Sequence, residues 1–192
     1  MELNHVNVKL LVKDPEGVKL APVVPVFHSW IQDQVYDEQL VDVADYTHVP
    51  GGPGVILIGL EGDYSVDNTD TRLGVRYNRK AMLEGSNQDR LNQAARAALN
   101  ACQRLEEEPG LEGKLRFNGQ DVEVFINDRL VAQNQEETRE KLKPEFEKFA
   151  DRLFGAGRYS LSYNEDPRRL LTVFLKASQP VPVADLLDHL EA

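Results

Sequence analysis

The strongest chemical signal in the chain is a run of cations that opposes its overall charge: Arg72-Leu73-Gly74-Val75-Arg76-Tyr77-Asn78-Arg79-Lys80. In an extended strand successive side chains point to opposite faces, so Arg72, Gly74 and Arg76 share one face while Leu73, Val75 and Tyr77 share the other. Two guanidinium groups two residues apart, with a glycine clearing space between them, present forked donors that match a carboxylate or a phosphate. Arg79 and Lys80 add charge at the strand's end. Charge balance against Asp63, Asp67 and Asp70 is the simpler account of the same residues. Arg168 and Arg169 join the patch only if the two halves of the chain approach each other.

A second polar group surrounds a glycine-rich loop. Asp42, Asp45, Tyr46 and His48 lead into Pro50-Gly51-Gly52-Pro53-Gly54, and Glu61, Asp63, Tyr64, Asp67 and Asn68 follow the next apolar strand. Carboxylates beside an imidazole can hold a divalent cation or share a proton. The spacing matches no calcium loop, and there is no His-Glu-x-x-His and no cysteine pair, so neither metal nor cofactor is expected. Solvated strand ends and turn caps explain these residues at lower cost. The glycines precede an apolar strand rather than a helix, and no Lys-Ser or Lys-Thr follows, so this is a hairpin connection and not a phosphate loop. Cys102 falls on an apolar helical face, where a thiol acts as a small hydrophobe. Ser65, Ser160 and Ser162 lack a Gly-x-Ser-x-Gly context, which leaves a serine hydrolase without support.

The elements that must position these groups follow from periodicity and punctuation. Residues 6–12 alternate as a strand, with Val6, Val8 and Leu10 on one face and Asn7, Lys9 and Leu11 on the other. Phe27, Trp30 and Ile31 stand at helical spacing within 25–34 and supply an aromatic anchor of the kind interfaces favour, or pack in the chain's own core. Segments 39–46, 55–59 and 72–77 are rich in β-branched and aromatic residues and predict neighbouring antiparallel strands. Ser86 caps the clearest helix, whose face runs Leu91, Ala94, Ala95, Ala98, Leu99, Cys102, Leu105; its alanines predict close packing on a sheet. In the second half, Asn118-Gly119 predicts a hairpin joining 114–118 to 122–127. Asn134 with Glu137 predicts a capping box opening a helix that Pro144 kinks, unless the proline marks a second start. Strands at 158–163 and 170–176 and a short helix after Pro182 complete the chain.

The fold class expected is α+β, a mainly antiparallel sheet with helices packed on one face. The 192 residues form a single domain, within which 1–108 and 114–192 can be written as two ferredoxin-like, split βαβ-type halves. A net charge of −10 opposes binding to nucleic acid or to an anionic membrane. One cysteine, no basic apolar leader and no apolar run longer than residues 55–60 point to the cytoplasm. With no recognisable catalytic set, the expected function is a non-enzymatic binding or assembly domain that recognises a protein partner or itself, most simply as a homodimer. The alternative is an enzyme or binding protein for a small anionic or metal-bound substrate, using Asp45, His48, Asp63, Asp67, Arg72, Arg76 and Arg79.

Overall fold

The chain runs β1 (Val6–Val12), α1 (Val23–Gln32), β2 (Leu40–Tyr46), β3 (Gly54–Gly59), β4 (Gly62–Asp67), β5 (Gly74–Arg79), α2 (Asn87–Glu107), β6 (Phe117–Ile126), α3 (Glu136–Phe154), β7 (Tyr159–Tyr163), β8 (Leu171–Ala177) and α4 (Val183–Glu191) in a computed structural model that describes residues 1–191. All eight strands join one antiparallel sheet in the order β2-β3-β4-β5-β1-β6-β8-β7. The fold is therefore α+β.

Register explains how a half-polar sequence builds a two-faced sheet. Val55, Val66, Val75, Leu10, Val122 and Leu175 lie directly opposite one another from strand to strand and form one apolar row. One residue along, Ile56, Ser65, Arg76, Lys9, Glu123 and Phe174 form the row on the opposite face. A slip of one residue in any strand would exchange the two sets, so burial of the valines fixes where the charges stand. The helices cover the valine face. The α2 helix begins at a capping box in which Ser86 and Asp89 satisfy each other's backbone N–H groups. Its Ala94, Ala95, Ala98 and Ala101 are fully buried, and small side chains let the helix axis approach β1 and β5 closely.

The two halves are unequal. Strands β6 and β7 run parallel with β8 between them, a split arrangement crossed by α3. The first half inserts a four-strand meander, β2 to β5, and shares no such compact unit. Two matching ferredoxin-like halves are therefore not what the sheet displays. The halves meet where β1 pairs with β6, in the middle of one continuous sheet.

Two local expectations are corrected. Asn118-Gly119 makes no hairpin: both residues lie within β6, at an irregularity in its pairing with β1, and Val181 N–H donates to the Asn118 carbonyl at 2.8 Å, tying the segment to the chain before α4. Gly119 has φ +62°, and a Cβ there would sit 2.0 Å from the Val181 carbonyl oxygen, so glycine serves that close approach instead of a turn. Asn134 does not cap α3, whose N-cap is Gln135. Pro144 lies inside α3, which runs as one helix from Glu136 to Phe154, so the proline marks no second start. Among the described residues, no helix is long and apolar enough to cross a membrane.

Candidate functional site

The helix-free face of the sheet carries charges that are almost wholly buried. Lys9 is 1% exposed and Asp67 2%. The Lys9 ammonium donates to Asp67 Oδ1 at 2.6 Å. Asp67 also accepts the Thr69 backbone N–H at 2.9 Å and its hydroxyl at 3.1 Å, so one carboxylate fixes both the lysine and the β4–β5 turn. The stem of Lys9 fits because position 74 is glycine: a Cβ there would lie 3.0 Å from Lys9 Cε and 2.5 Å from the Leu10 carbonyl oxygen. Beside this pair, Arg72 donates to Glu123, itself buried. An unpaired ion at such depth costs several kcal/mol, which is why these charges come as pairs.

Arg76 completes the floor and differs from its neighbours. Its guanidinium lies over the Phe125 ring, 4.5 Å from the centroid, as Arg72 lies over Phe174 at 5.5 Å. Its nearest carboxylate oxygen, Asp67 Oδ2, is 3.8 Å away. Its Nε is buried with no hydrogen-bond partner among the described residues. Burial lowers the Arg76 pKa from the ordinary arginine value, against the opposing pull of Asp67 and Glu123. These residues, with Thr69, Asp70, Arg129, Asn164, Arg169, Leu170 and Thr172, line a cavity of about 440 Å³. That size suits a small organic ligand.

Two loops build its rim, and one asparagine ties them together. The buried Asn134 carboxamide donates to the carbonyls of Asn164 at 2.9 Å and Asp166 at 2.8 Å, joining the segment before α3 to the β7–β8 connection. Arg139 reinforces the joint through Asn134 Oδ1 at 3.1 Å and the Asn164 carbonyl at 3.0 Å. Arg129 and Arg169 project from these two loops, and Arg169 pairs with Asp70 at 3.0 Å.

Of the residues singled out in the sequence, Asp67, Asp70, Arg72, Arg76 and Arg169 meet in the cavity, the last because the two halves do approach each other there; Asp45, His48, Asp63 and Arg79 lie elsewhere. Asp63 shares the face but pairs with Lys80 at 2.6 Å outside the cavity. Asp45 and His48 are exposed at the end of the β2–β3 hairpin, where Asp45 accepts the Thr47 N–H at 2.8 Å, which holds its carboxyl below the usual carboxylate range. Strand alternation sends Arg79 to the helix-covered face, where it pairs with Glu61 at 2.9 Å. Phe27 and Trp30 are buried in the chain's own core, the Trp30 indole donating to Glu108 at 2.5 Å. Ile31 is half-buried against that core, so this trio is not an exposed anchor. Lys9, Glu123, Phe125, Phe174 and Arg129 were missing from the sequence-derived set. Alternation had already placed Lys9 opposite the valine face, and that was the available signal.

A second groove, of about 480 Å³, runs along α2 on the helix side between Tyr36, Glu38, Tyr64, Arg79, Asn92 and Gln93. Glu38 there accepts the Tyr64 hydroxyl at 2.7 Å and the Gly62 N–H at 3.1 Å, and Arg79 donates to Glu61 at 2.9 Å. The described residues contain no group of three or more His, Cys, Asp or Glu that could hold a metal ion. Compared with models of known protein families, with curated proteins and with solved structures, the chain matches none.

Proposed function

We propose that this protein is a non-enzymatic binding domain that takes a small organic anion in the cavity on the helix-free face of the sheet. The observation that carries the reading is Arg76, whose guanidinium lines a cavity rimmed by further arginines and stands 3.8 Å from its nearest carboxylate, one that Lys9 already engages at 2.6 Å, within a chain of net charge −10. The folded chain has carried desolvated donors to a place where an anion can accept from them, and charge-assisted bonds in such settings are the strong ones. Paired ions surround the position without consuming it, and no nucleophile–base pair stands beside it, which favours binding over catalysis. The fully buried, lone Cys102 suits a reducing compartment, and on that ground we place the protein in the cytoplasm.

The test is thermal unfolding of the full chain with a panel of small carboxylates and phosphates. A ligand at a hundred times its Kd stabilises by about 2.7 kcal/mol, which for a domain of this size is a rise in Tm of roughly 5–10 °C. Arg76→Gln should abolish that rise. A panel with no stabilising anion, or stabilisation that survives Arg76→Gln, refutes the reading.

Self-association is a second reading, favoured by the free edge at β2. Val41 and Tyr46 on that strand, and Val49 and Leu60 near it, are exposed apolar side chains beside unpaired backbone groups. Sedimentation of the chain at micromolar concentration decides it, with Tyr46→Lys expected to shift any dimer to monomer.

A further inference from the structure

Five basic and three acidic side chains line the open-face cavity, and the acids are already spoken for. Asp67 holds Lys9, Glu123 holds Arg72, and Asp70 holds Arg169. Arg76 and Arg129 remain. Arg76 stands 3.8 Å from a carboxylate that Lys9 already engages at 2.6 Å, and Arg129 makes no ion pair or hydrogen bond among the described residues. They enter from different sides: Arg76 from β5 on the floor, Arg129 from the loop after β6 on the rim. The walls between them include Phe125, Phe174 and Leu170.

We infer that the ligand is a dianion with an apolar body, its two negative charges answering Arg76 and Arg129 while its carbon skeleton lies among Phe125, Phe174 and Leu170. This inference rests on the cavity being the binding site, and it specifies the ligand's charge and shape. A monoanion would leave one of the two guanidinium groups unanswered. A larger polyanion would meet Asp70, Asp67 and Glu123. Two chemistries supply a compact dianion, a phosphate monoester and a dicarboxylate. They separate by pH, because a phosphate monoester takes its second charge near pH 6 whereas a dicarboxylate has both well below that.

The experiment is isothermal titration of the full chain with phenyl phosphate, isophthalate, benzoate and inorganic phosphate at pH 7.5. One added charge-assisted contact corresponds to an affinity gain of about tenfold or more. Phenyl phosphate or isophthalate should therefore bind at least about tenfold more tightly than benzoate, and phenyl phosphate more tightly than inorganic phosphate. If the phosphate monoester is the better dianion, its advantage over benzoate should fall several-fold from pH 7.5 to pH 5. Arg129→Gln, an exposed position, should remove the preference for dianions while benzoate still binds; Lys114→Gln, an exposed site outside the cavity, should change nothing. Equal affinity for benzoate and both dianions overturns the dianion, and benzoate binding lost in Arg76→Gln would still leave the cavity standing as the site. Inorganic phosphate binding as tightly as phenyl phosphate overturns the apolar body. Failure of all four probes overturns the binding reading itself.

Discussion

Lys9 shows how a residue can be read correctly for direction and still be missed for role. Its place on the face opposite Val8 and Leu10 follows from alternation alone, but its partner Asp67 is 58 residues away and reaches it only because β5 lies between β4 and β1. No local pattern encodes that adjacency. The same holds for Glu123, which meets Arg72 across β1. By contrast, the Arg72-Gly74-Arg76 spacing was legible because the three residues lie within five consecutive positions, Gly74 and Arg76 on β5 and Arg72 just before it. The pairing sets a prediction at this scale. Lys9→Met removes the cation and leaves a carboxylate at 2% exposure, and breaking one side of such a pair costs roughly 3–5 kcal/mol. The double change Lys9→Met with Asp67→Leu removes both charges and should recover most of that loss, as urea unfolding will show. A double variant no more stable than the single would mean that the pair does not act as a unit.

Elements were legible where cap and periodicity agreed, and illegible where a distant contact overruled a local preference. The α2 helix starts at Ser86 and buries the alanine, leucine and cysteine face that its sequence lays out. The Asn118-Gly119 pair and the Asn134-x-x-Glu137 pattern carry equally good local signals, and both are overridden. The chain before α4 occupies the side of β6 where a turn would have to form. The Asn134 side chain is spent on the β7–β8 connection instead of on α3. Strand β4 is absent from the sequence-based strands, because Glu61, Asp63, Tyr64, Asp67 and Asn68 are equally good strand-end and turn residues, and only pairing with β3 and β5 makes them a strand. Two outcomes test the packing at this scale. Leu99→Ala should cost roughly 2–4 kcal/mol, as a large-to-small change on a face without room to collapse. Cys102 should react with thiol reagents only as fast as the chain unfolds, because the thiol is fully buried and desolvation, with Glu106 beside it, pushes its pKa well up. Prompt modification of the folded chain would place α2 elsewhere. A third change probes the joint between the rim loops: Asn134→Ala should weaken anion binding by several-fold more than it lowers Tm would suggest, since it releases Arg129 and Arg169 from their shared frame.

At the scale of the whole molecule, the two faces of the sheet divide the labour. Charges that can meet a ligand stand on the open face, and the aromatic mass stands under the helices as a chain of rings from Phe27 through Trp30, Tyr36 and Tyr64 to Tyr77, with neighbouring centroids 4.6–5.8 Å apart. That chain makes stability depend on pH in a stated direction. Burial raises the pKa of Tyr36, Tyr64 and Tyr77; Tyr64 is raised further by donating to Glu38, whose charge opposes a phenolate beside it. Tyr159 is pushed up to about 12 by burial and by Asp151. In the unfolded chain these phenols ionise near pH 10. Between that value and the higher folded ones, the native state holds more protons than the unfolded state, so stability falls as pH rises. The contribution is complete below about pH 10 and is lost above it, and the net charge of −10 adds repulsion in the same direction. Trp30, the single tryptophan, lies within the ring chain, so its emission reports the same event. Urea midpoints followed by Trp30 fluorescence should be flat from pH 7 to 9 and fall steadily beyond 10, with phenolate absorbance from the three core tyrosines appearing only as emission shifts to that of an unfolded chain. Core phenolates that form below pH 10 while Trp30 stays buried would show that the rings are not packed in this way.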